Sequence, residues 1–254
     1  MEEFSGKVAI VTGAGQGIGE ATARALAASG AKVAVCDLNS ERGQLIATQI
    51  GGTFFKMDVG KVDSLEDAVA AIEFKLGPVN HLVNNAGYVL TQPMSAVTIE
   101  GLEKTFNINV FGAFFLMRAC AERMKTRGGG SMVNLASVSG FLPKLEQAAY
   151  GASKAALVSL TRSMALAYGP HNVRINAVAP GVAKTPLVQS IAEERARIRG
   201  VTPAETQAPM IAATPLGRFA ETEEVASTIL FLLSKQASYV TGQTLDVCGG
   251  FLMR

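Results

Sequence analysis

Short runs rich in β-branched and apolar residues alternate along this chain with longer stretches whose apolar residues recur at helical spacing. The pattern predicts strands over 7–12, 31–37, 53–58, 80–87, 130–137 and 172–181, and helices over 17–30, 40–52, 64–77, about 99–127 and 150–169. A final helix over 222–234 and a strand over 242–250 follow. Two strands joined by a helix of this length run parallel, because the intervening helix must cross back over the sheet. The expected fold class is therefore α/β, a doubly wound parallel sheet between two helical layers, in one domain spanning 1–254. The alternation stops after Pro180. Residues 184–215 carry many charges and several prolines, and are expected to form a mobile, partly helical insertion that folds over a ligand as a lid.

In such a sheet, ligands bind beyond the carboxyl ends of the strands, so the residues just after each strand are the ones to read. After the first comes "TGAGQGIG", with Gly13, Gly15, Gly17 and Gly19. It misses the strict G-x-G-x-x-G spacing, since Ile18 stands where the third glycine would, but its physics suits a diphosphate. Glycines allow a tight turn and close backbone approach, and the helix that follows offers free N–H groups at its positive end. Asp37 ends the second strand, 18 residues beyond Gly19. A carboxylate there can accept hydrogen bonds from both adenosine ribose hydroxyls and repels a 2′-phosphate. No arginine is adjacent in sequence: Leu38 follows, and Gln16 lies in the glycine loop. The expected cofactor is NAD rather than NADP. Asp58 and Val59 follow the third strand, where they suit an adenine amine and ring face. "NNAG" (84–87) follows the fourth, and Asn84 is expected to fix backbone geometry. "ASVSG" follows the fifth, with Ser137 lying 13 residues before Tyr150.

Composition narrows the function. Hydrophobic residues make up 48% and charged residues 17%, which suits a buried core and not a disordered chain. The net charge of +2 is spread without a basic stripe, so a nucleic-acid partner is not expected. His81 and His171 are the only histidines and no cluster has metal-ligand spacing, so no metal is expected. Cys36, Cys120 and Cys248 read as reduced core thiols. The start, "MEEFSGKVAIVTGAG", is acidic where a signal peptide is basic, and no apolar run reaches membrane-span length. A cytoplasmic protein is expected.

TGxxxGxG at 12–19, NNAG at 84–87, Ser137 and the pair Tyr150 and Lys154 in Y-x-x-x-K spacing occur in order at successive strand ends, with "PGVAKT" at 180–185 after the next. With these motifs the chain resembles the short-chain dehydrogenase/reductase family, in its single-domain branch of about 250 residues. The resemblance implies a Rossmann-type fold and an oxidoreductase with a tetrad of Asn109, Ser137, Tyr150 and Lys154. Of Asn107 and Asn109, the family's Asn-x-x-Gly spacing selects Asn109, paired with Gly112. A free phenol titrates near pH 10, and a nearby ammonium should lower that value. One helical turn puts Lys154 on the Tyr150 face. Lys154 would also hold the nicotinamide ribose, Ser137 would stabilise charge on the substrate oxygen, and Asn109 would hold a water behind Lys154. By the same resemblance, Gly13, Gln16, Gly17, Ile18 and Gly19 meet the diphosphate. Asp37 and Leu38 meet the ribose, Asp58 and Val59 the adenine, and Asn85, Ala86 and Gly87 flank the cofactor. Pro180, Gly181, Val182 and Thr185 hold the nicotinamide.

Fold does not give substrate. The expected pocket draws on Tyr88, Val89, Ser139, Phe141, Leu142, Gln147, Gly181 and the 186–215 segment, around a secondary alcohol or ketone. Lys144 is expected to be a solvated loop lysine, the alternative being contact with an acidic group of the substrate. Arg195, Arg197 and Arg199, at alternate positions, are expected to be solvated and not to clamp an anion. Tyr168 and Tyr239 read as packing. The alternatives are an NADPH-dependent carbonyl reductase of the 3-oxoacyl carrier-protein type, a non-catalytic dinucleotide-binding scaffold, and a nucleotide-sugar epimerase or dehydratase, for which a second domain of useful size is lacking. A homotetramer pairing helices 99–127 and 150–169 and the last strand is expected from the resemblance, with "FLMR" at the carboxyl end contributing to the interface.

Overall fold

The computed structural model describes residues 3–254. Seven parallel strands form one sheet: β1 (Val8–Thr12), β2 (Lys32–Asp37), β3 (Thr53–Lys56), β4 (Val79–Asn84), β5 (Gly130–Leu135), β6 (Val173–Pro180) and β7 (Thr244–Val247). Their spatial order is β3-β2-β1-β4-β5-β6-β7, with every pair parallel. The order reverses between β1 and β4, which opens a crevice at their carboxyl ends.

Strand residues alternate between two cores, as a two-residue repeat requires. Val8, Ile10, Leu82, Met132 and Ile175 face α3 (Leu65–Leu76), α5 (Ala113–Lys125) and α6 (Ala148–Tyr168). Ala9, Val11, Val83, Val133 and Val178 face α1 (Gly17–Ala28), α2 (Ser40–Ile50) and α9 (Thr222–Leu233) on the other side. The architecture is the expected Rossmann-type α/β/α sandwich.

Two stretches differ from the sequence expectation. The single helix over 99–127 is instead α4 (Ile99–Phe106), a π-helical turn over Asn107–Gly112, and α5. The widened turn brings Gly112 against the chain after β3, where a Cβ would lie 2.3 Å from the Val59 carbonyl oxygen. Residues 184–215 fold as two defined helices, α7 (Pro186–Arg199) and α8 (Pro203–Ala212). Each begins with proline at its first position and a threonine cap, Thr185 for α7 and Thr202 with Glu205 for α8, so local signals suffice to start both.

A buried amide chain ties the sheet to the helices that carry the site. Asn84 Nδ2 donates to the Ala113 carbonyl (3.2 Å) and to Asn134 Oδ1 (3.0 Å), and Asn134 Nδ2 donates to Thr161 Oγ1 (2.8 Å). Asn84 thus fixes geometry, holding β4, β5, α5 and α6 in register. Each link matters because a buried donor left unmatched costs about 1–3 kcal/mol.

Candidate active site

The turn after β1 and the turn after β4 are stitched together. Thr12 Oγ1 accepts from the backbone N–H groups of Asn85 and Ala86, each at 3.0 Å, while Asn85 Nδ2 donates to the Thr12 carbonyl (2.9 Å) and the Gly13 carbonyl (3.0 Å). Gly13 sits at φ +62°, and a Cβ on it would lie 2.9 Å from Asn85 Nδ2. A Cβ on Gly19 would lie 2.2 Å from the Gly13 oxygen. Only glycine fits at these positions. Gln16 precedes α1 and its side chain makes no capping hydrogen bond to the helix amino terminus.

A groove runs across this loop, lined by Gly13, Gln16, Gly17, Ile18, Asp37, Leu38, Asp58, Val59, Asn85, Ala86, Gly87, Tyr150, Lys154 and Thr185. Gly19 lies behind it, beneath the turn. Pro180, Gly181 and Val182 line a neighbouring cleft instead, beside Ser137. The glycine cradle, the uncapped helix start and the two carboxylates at the far end fit a dinucleotide. Asp37 Oδ2 accepts from Gly15 N and Oδ1 from Asn39 N, both at 2.8 Å, so the carboxylate is fixed at the groove edge. Asn39 takes the helix-capping role for α2. Asp58 Oδ1 accepts from Gly60 N at 3.0 Å. Arg42, from the first turn of α2, reaches back to hydrogen-bond Gln16 Oε1. An arginine therefore does stand at this end of the groove, although none is adjacent to Asp37 in sequence.

Tyr150 lies in the first turn of α6, where the groove meets the second cleft. Both cavities share Tyr150, Ile18, Leu135, Thr185 and Leu187. Burial pushes the phenol up to about 12, while a hydrogen bond from Ser137 acts the other way. Lys154 Nζ is 5.6 Å from the centre of the Tyr150 ring and donates to the Leu135 carbonyl at 2.6 Å. Its burial pulls the ammonium down to about 8. At Tyr150, desolvation outweighs the opposing hydrogen bond from Ser137. Ser137 Oγ accepts from Ser139 N at 3.1 Å.

Asn109 lies in the π turn and is buried. Its Oδ1 accepts from Tyr88 N (2.7 Å), and its Nδ2 donates to the Tyr88 carbonyl (2.8 Å) and to Ser153 Oγ (3.0 Å). Both side-chain N–H donors are engaged with protein, and Oδ1 keeps one acceptor site beyond Tyr88 N. Asn107 points elsewhere, donating to the Gly60 carbonyl at 2.7 Å. π-turns recur where a helix must re-aim one side chain, and this one links the turn after β4 to α6.

The second cleft is lined largely by apolar side chains, among them Val138, Val182, Val188, Ile191, Met210 and Phe251. Ser139, Gln147 and Gly181 line it as expected, whereas Tyr88 and Val89 line the cofactor groove. Phe141 lies outside, stacked under the Arg254 guanidinium at 3.6 Å. Two expectations are reversed. Lys144 lines the cleft, with Nζ 4.9 Å from the Phe251 ring. Arg195 is 7% exposed, lines the cleft and donates to Gln147 Oε1 at 2.9 Å. Arg195 and Arg199, four apart, do share a helix face and converge on Glu146, while Arg197 is exposed as expected. The chain's end folds back on itself, with Phe251 in the cleft and Arg254 paired with Asp246.

Elsewhere, Tyr239 is fully exposed and packs against nothing, while Tyr168 donates to Glu122 at 2.8 Å. The three cysteines are free and buried. Among the described residues there is no group of three potential metal ligands, and no helix is long and apolar enough to cross a membrane.

A family model described as "Enoyl-(Acyl carrier protein) reductase" matches residues 13–252. Galactitol 2-dehydrogenase of Agrobacterium fabrum is 36% identical over 97% of this chain and 98% of its own length. L-xylulose reductase of Mus musculus is 39% identical over 98% of each chain. A short-chain type dehydrogenase/reductase from Mycobacterium marinum superposes with a TM-score of 0.90 at 34% identity, over 100% of this chain and 98% of the other.

The burial of Lys154 has a measurable signature. Its folded pKa lies near 8, below the unfolded 10.5. Between these values the unfolded chain binds more protons, so stability should rise with pH across this window, by up to about 1.4 kcal/mol per pH unit. Urea denaturation from pH 8 to 10 should show this rise in the wild type and a flatter profile in Lys154→Met. Parallel profiles would contradict a desolvated ammonium.

Proposed function

Because the chain belongs to the short-chain dehydrogenase/reductase family, we propose that this oxidoreductase of CH–OH groups is an NAD-dependent secondary-alcohol dehydrogenase, with Tyr150 as its general acid/base. The observation that carries this reading is the position of Tyr150 at the junction of a dinucleotide-shaped groove and a separate, mainly apolar cleft. An alcohol carbon in the cleft lies beside the groove only there.

The bound dinucleotide supplies hydride acceptance at the alcohol carbon. The chain's own residues handle the proton and the charge. Tyr150, as the phenolate, takes the hydroxyl proton and returns to the phenol as the carbonyl forms. Ser137 donates to the substrate oxygen, holding it beside the phenol. Lys154, ionised at neutral pH with its value near 8, provides the counter-charge when Tyr150 becomes phenolate. Asn109 positions these groups by tying Tyr88 to Ser153. Gly13, Gln16, Gly17, Ile18 and Gly19 form the diphosphate cradle, and Asp37 and Leu38 face the adenosine ribose. Asp58 and Val59 face the adenine, Asn85, Ala86 and Gly87 flank the cofactor, and Pro180, Gly181, Val182 and Thr185 close the nicotinamide end. Helices α7 and α8 serve as the lid.

Asp37 supports NAD, because its fixed carboxylate would repel a 2′-phosphate. Arg42 at the same end favours the second reading, an NADPH-dependent reductase; its engagement with Gln16 leaves the carboxylate as the stronger determinant. Exposed Ile99, Leu102 and Phe111 on α4 and the π turn, with Leu166 on α6, support a homotetramer built on these helices.

Tyr150→Phe should reduce kcat by about 10²–10⁴-fold while NAD binding, followed by calorimetry, is kept; substantial residual turnover would remove Tyr150 from the chemistry. Steady-state kinetics with both cofactors should favour NAD, and Asp37→Ala should swing the kcat/KM ratio toward NADP by tenfold or more. An unchanged ratio would leave the discrimination to Arg42. Sedimentation equilibrium should give four times the chain mass of 26.5 kDa, and a monomer would refute the tetramer.

A further inference from the structure

The second cleft holds two cations and no carboxylate. Lys144 and Arg195 both line it, and none of its lining residues is Asp or Glu. Lys144 has no carboxylate partner among the described residues; its ammonium rests over the Phe251 ring. Arg195 is nine-tenths buried, and its Nε is buried with no hydrogen-bond partner. Its Nη1 meets only the thioether of Met210, at 3.6 Å, and its Nη2 holds Gln147. The nearest carboxylate, Glu146, lies 3.7 Å from Arg195 Nε and is engaged by Arg199, whose Nε donates to Glu146 Oε1 at 2.7 Å.

Burying charge among apolar side chains is costly unless the charge is paired. Here burial lowers the pKa of Lys144, and the charge of Arg195 lowers it further. Glu146 partly offsets the charge of Arg195 from behind the cleft wall, and no carboxylate among the described residues does so for Lys144. Its remaining walls are mainly apolar, with neutral polar side chains such as Ser139, Thr206 and Gln207 among them. Gln147, gripped by Arg195, stands at the amino cap of α6, one turn before Tyr150.

We propose that Lys144 and Arg195 form a carboxylate-binding subsite, and that the substrate is a secondary alcohol with an apolar body and a carboxylate remote from the reacting carbon. The Arg195 guanidinium supplies positive charge, its Nη1 held by nothing stronger than the Met210 thioether, and the ammonium closes over the anion from the Phe251 side. The assignment rests on the dehydrogenase reading only for the chemistry at Tyr150; the anion site itself is independent of it.

The test separates the two. Calorimetry on the full-length protein, with and without NADH, would use benzoate and benzamide as probes. Benzoate should bind at least tenfold more tightly than benzamide, and Lys144→Met should erase that preference by weakening benzoate. Arg195→Lys, which keeps the charge beside Glu146 but removes the fork, should weaken benzoate severalfold. Equal affinities in the wild type, binding by neither probe, or a preference that survives Lys144→Met would each overturn the subsite. Turnover would then be followed for hydroxy carboxylates and their primary amides. Tight benzoate binding with no alcohol turned over would sustain the subsite and defeat the dehydrogenase reading. Equal kcat/KM for acids and amides would sustain the dehydrogenase and overturn the substrate class.

Discussion

An ammonium group taken out of water is the constraint around which this site is arranged. Lys154 is 4% exposed and has one protein acceptor, the Leu135 carbonyl at the end of β5. That single bond can hold it only if α6 and β5 keep their relative height. The chain of amides from Asn84 through Asn134 to Thr161 sets this height from within the core. Because Thr161 lies two helical turns beyond Lys154 on the same helix, a buried hydrogen bond far from solvent governs where the reacting end of α6 sits.

Tyr150 adds a second desolvated group to the same turn. A phenol held near 12 and an ammonium near 8 are both kept toward their neutral forms. The apolar surroundings that push them there would also strengthen any attraction once the pair becomes charged. The π turn at Asn107–Gly112 completes the support. By widening one turn it points Asn109 at both Tyr88 and Ser153, so the loop after β4 and the helix bearing Tyr150 share one amide.

The sheet and groove were legible because each depended on short-range rules. Strand and helix periods are local, and the glycines at 13 and 19 answer to backbone crowding that any parallel sheet with this turn would impose. The placing of Ser137, Tyr150 and Lys154 around the two cavities was legible from motifs that fall at successive strand ends. What escaped the sequence depended on where chains meet. The π turn has no periodic signature, since residues 99–125 keep a helical pattern through it. Arg42 is distant from Gln16 in sequence and adjacent only through folding. Lys144 and Arg195 looked like solvated charges because nothing local reveals that α7 lies across the loop before α6. For Arg195 and Arg199 a signal was present: positions four apart share a face, and a buried Glu146 explains why both turn inward. The raised phenol pKa was out of reach because desolvation is a property of the assembled cleft.

Glu146 joins three parts of the molecule at once. Its carboxylate engages Arg195 and Arg199 of α7, its main-chain carbonyl accepts from Gln92 N at 2.9 Å, and it directly precedes Gln147 and the helix of Tyr150. Swinging α7 away from the cleft therefore breaks buried ion pairs in the same movement that releases Gln147. Seating of α7 over the cleft and ordering of the turn that bears Tyr150 are gears on one shaft. A ligand that seats α7 also stiffens that turn, so on the proposed acid/base role of Tyr150 affinity and reactivity are expected to rise and fall together.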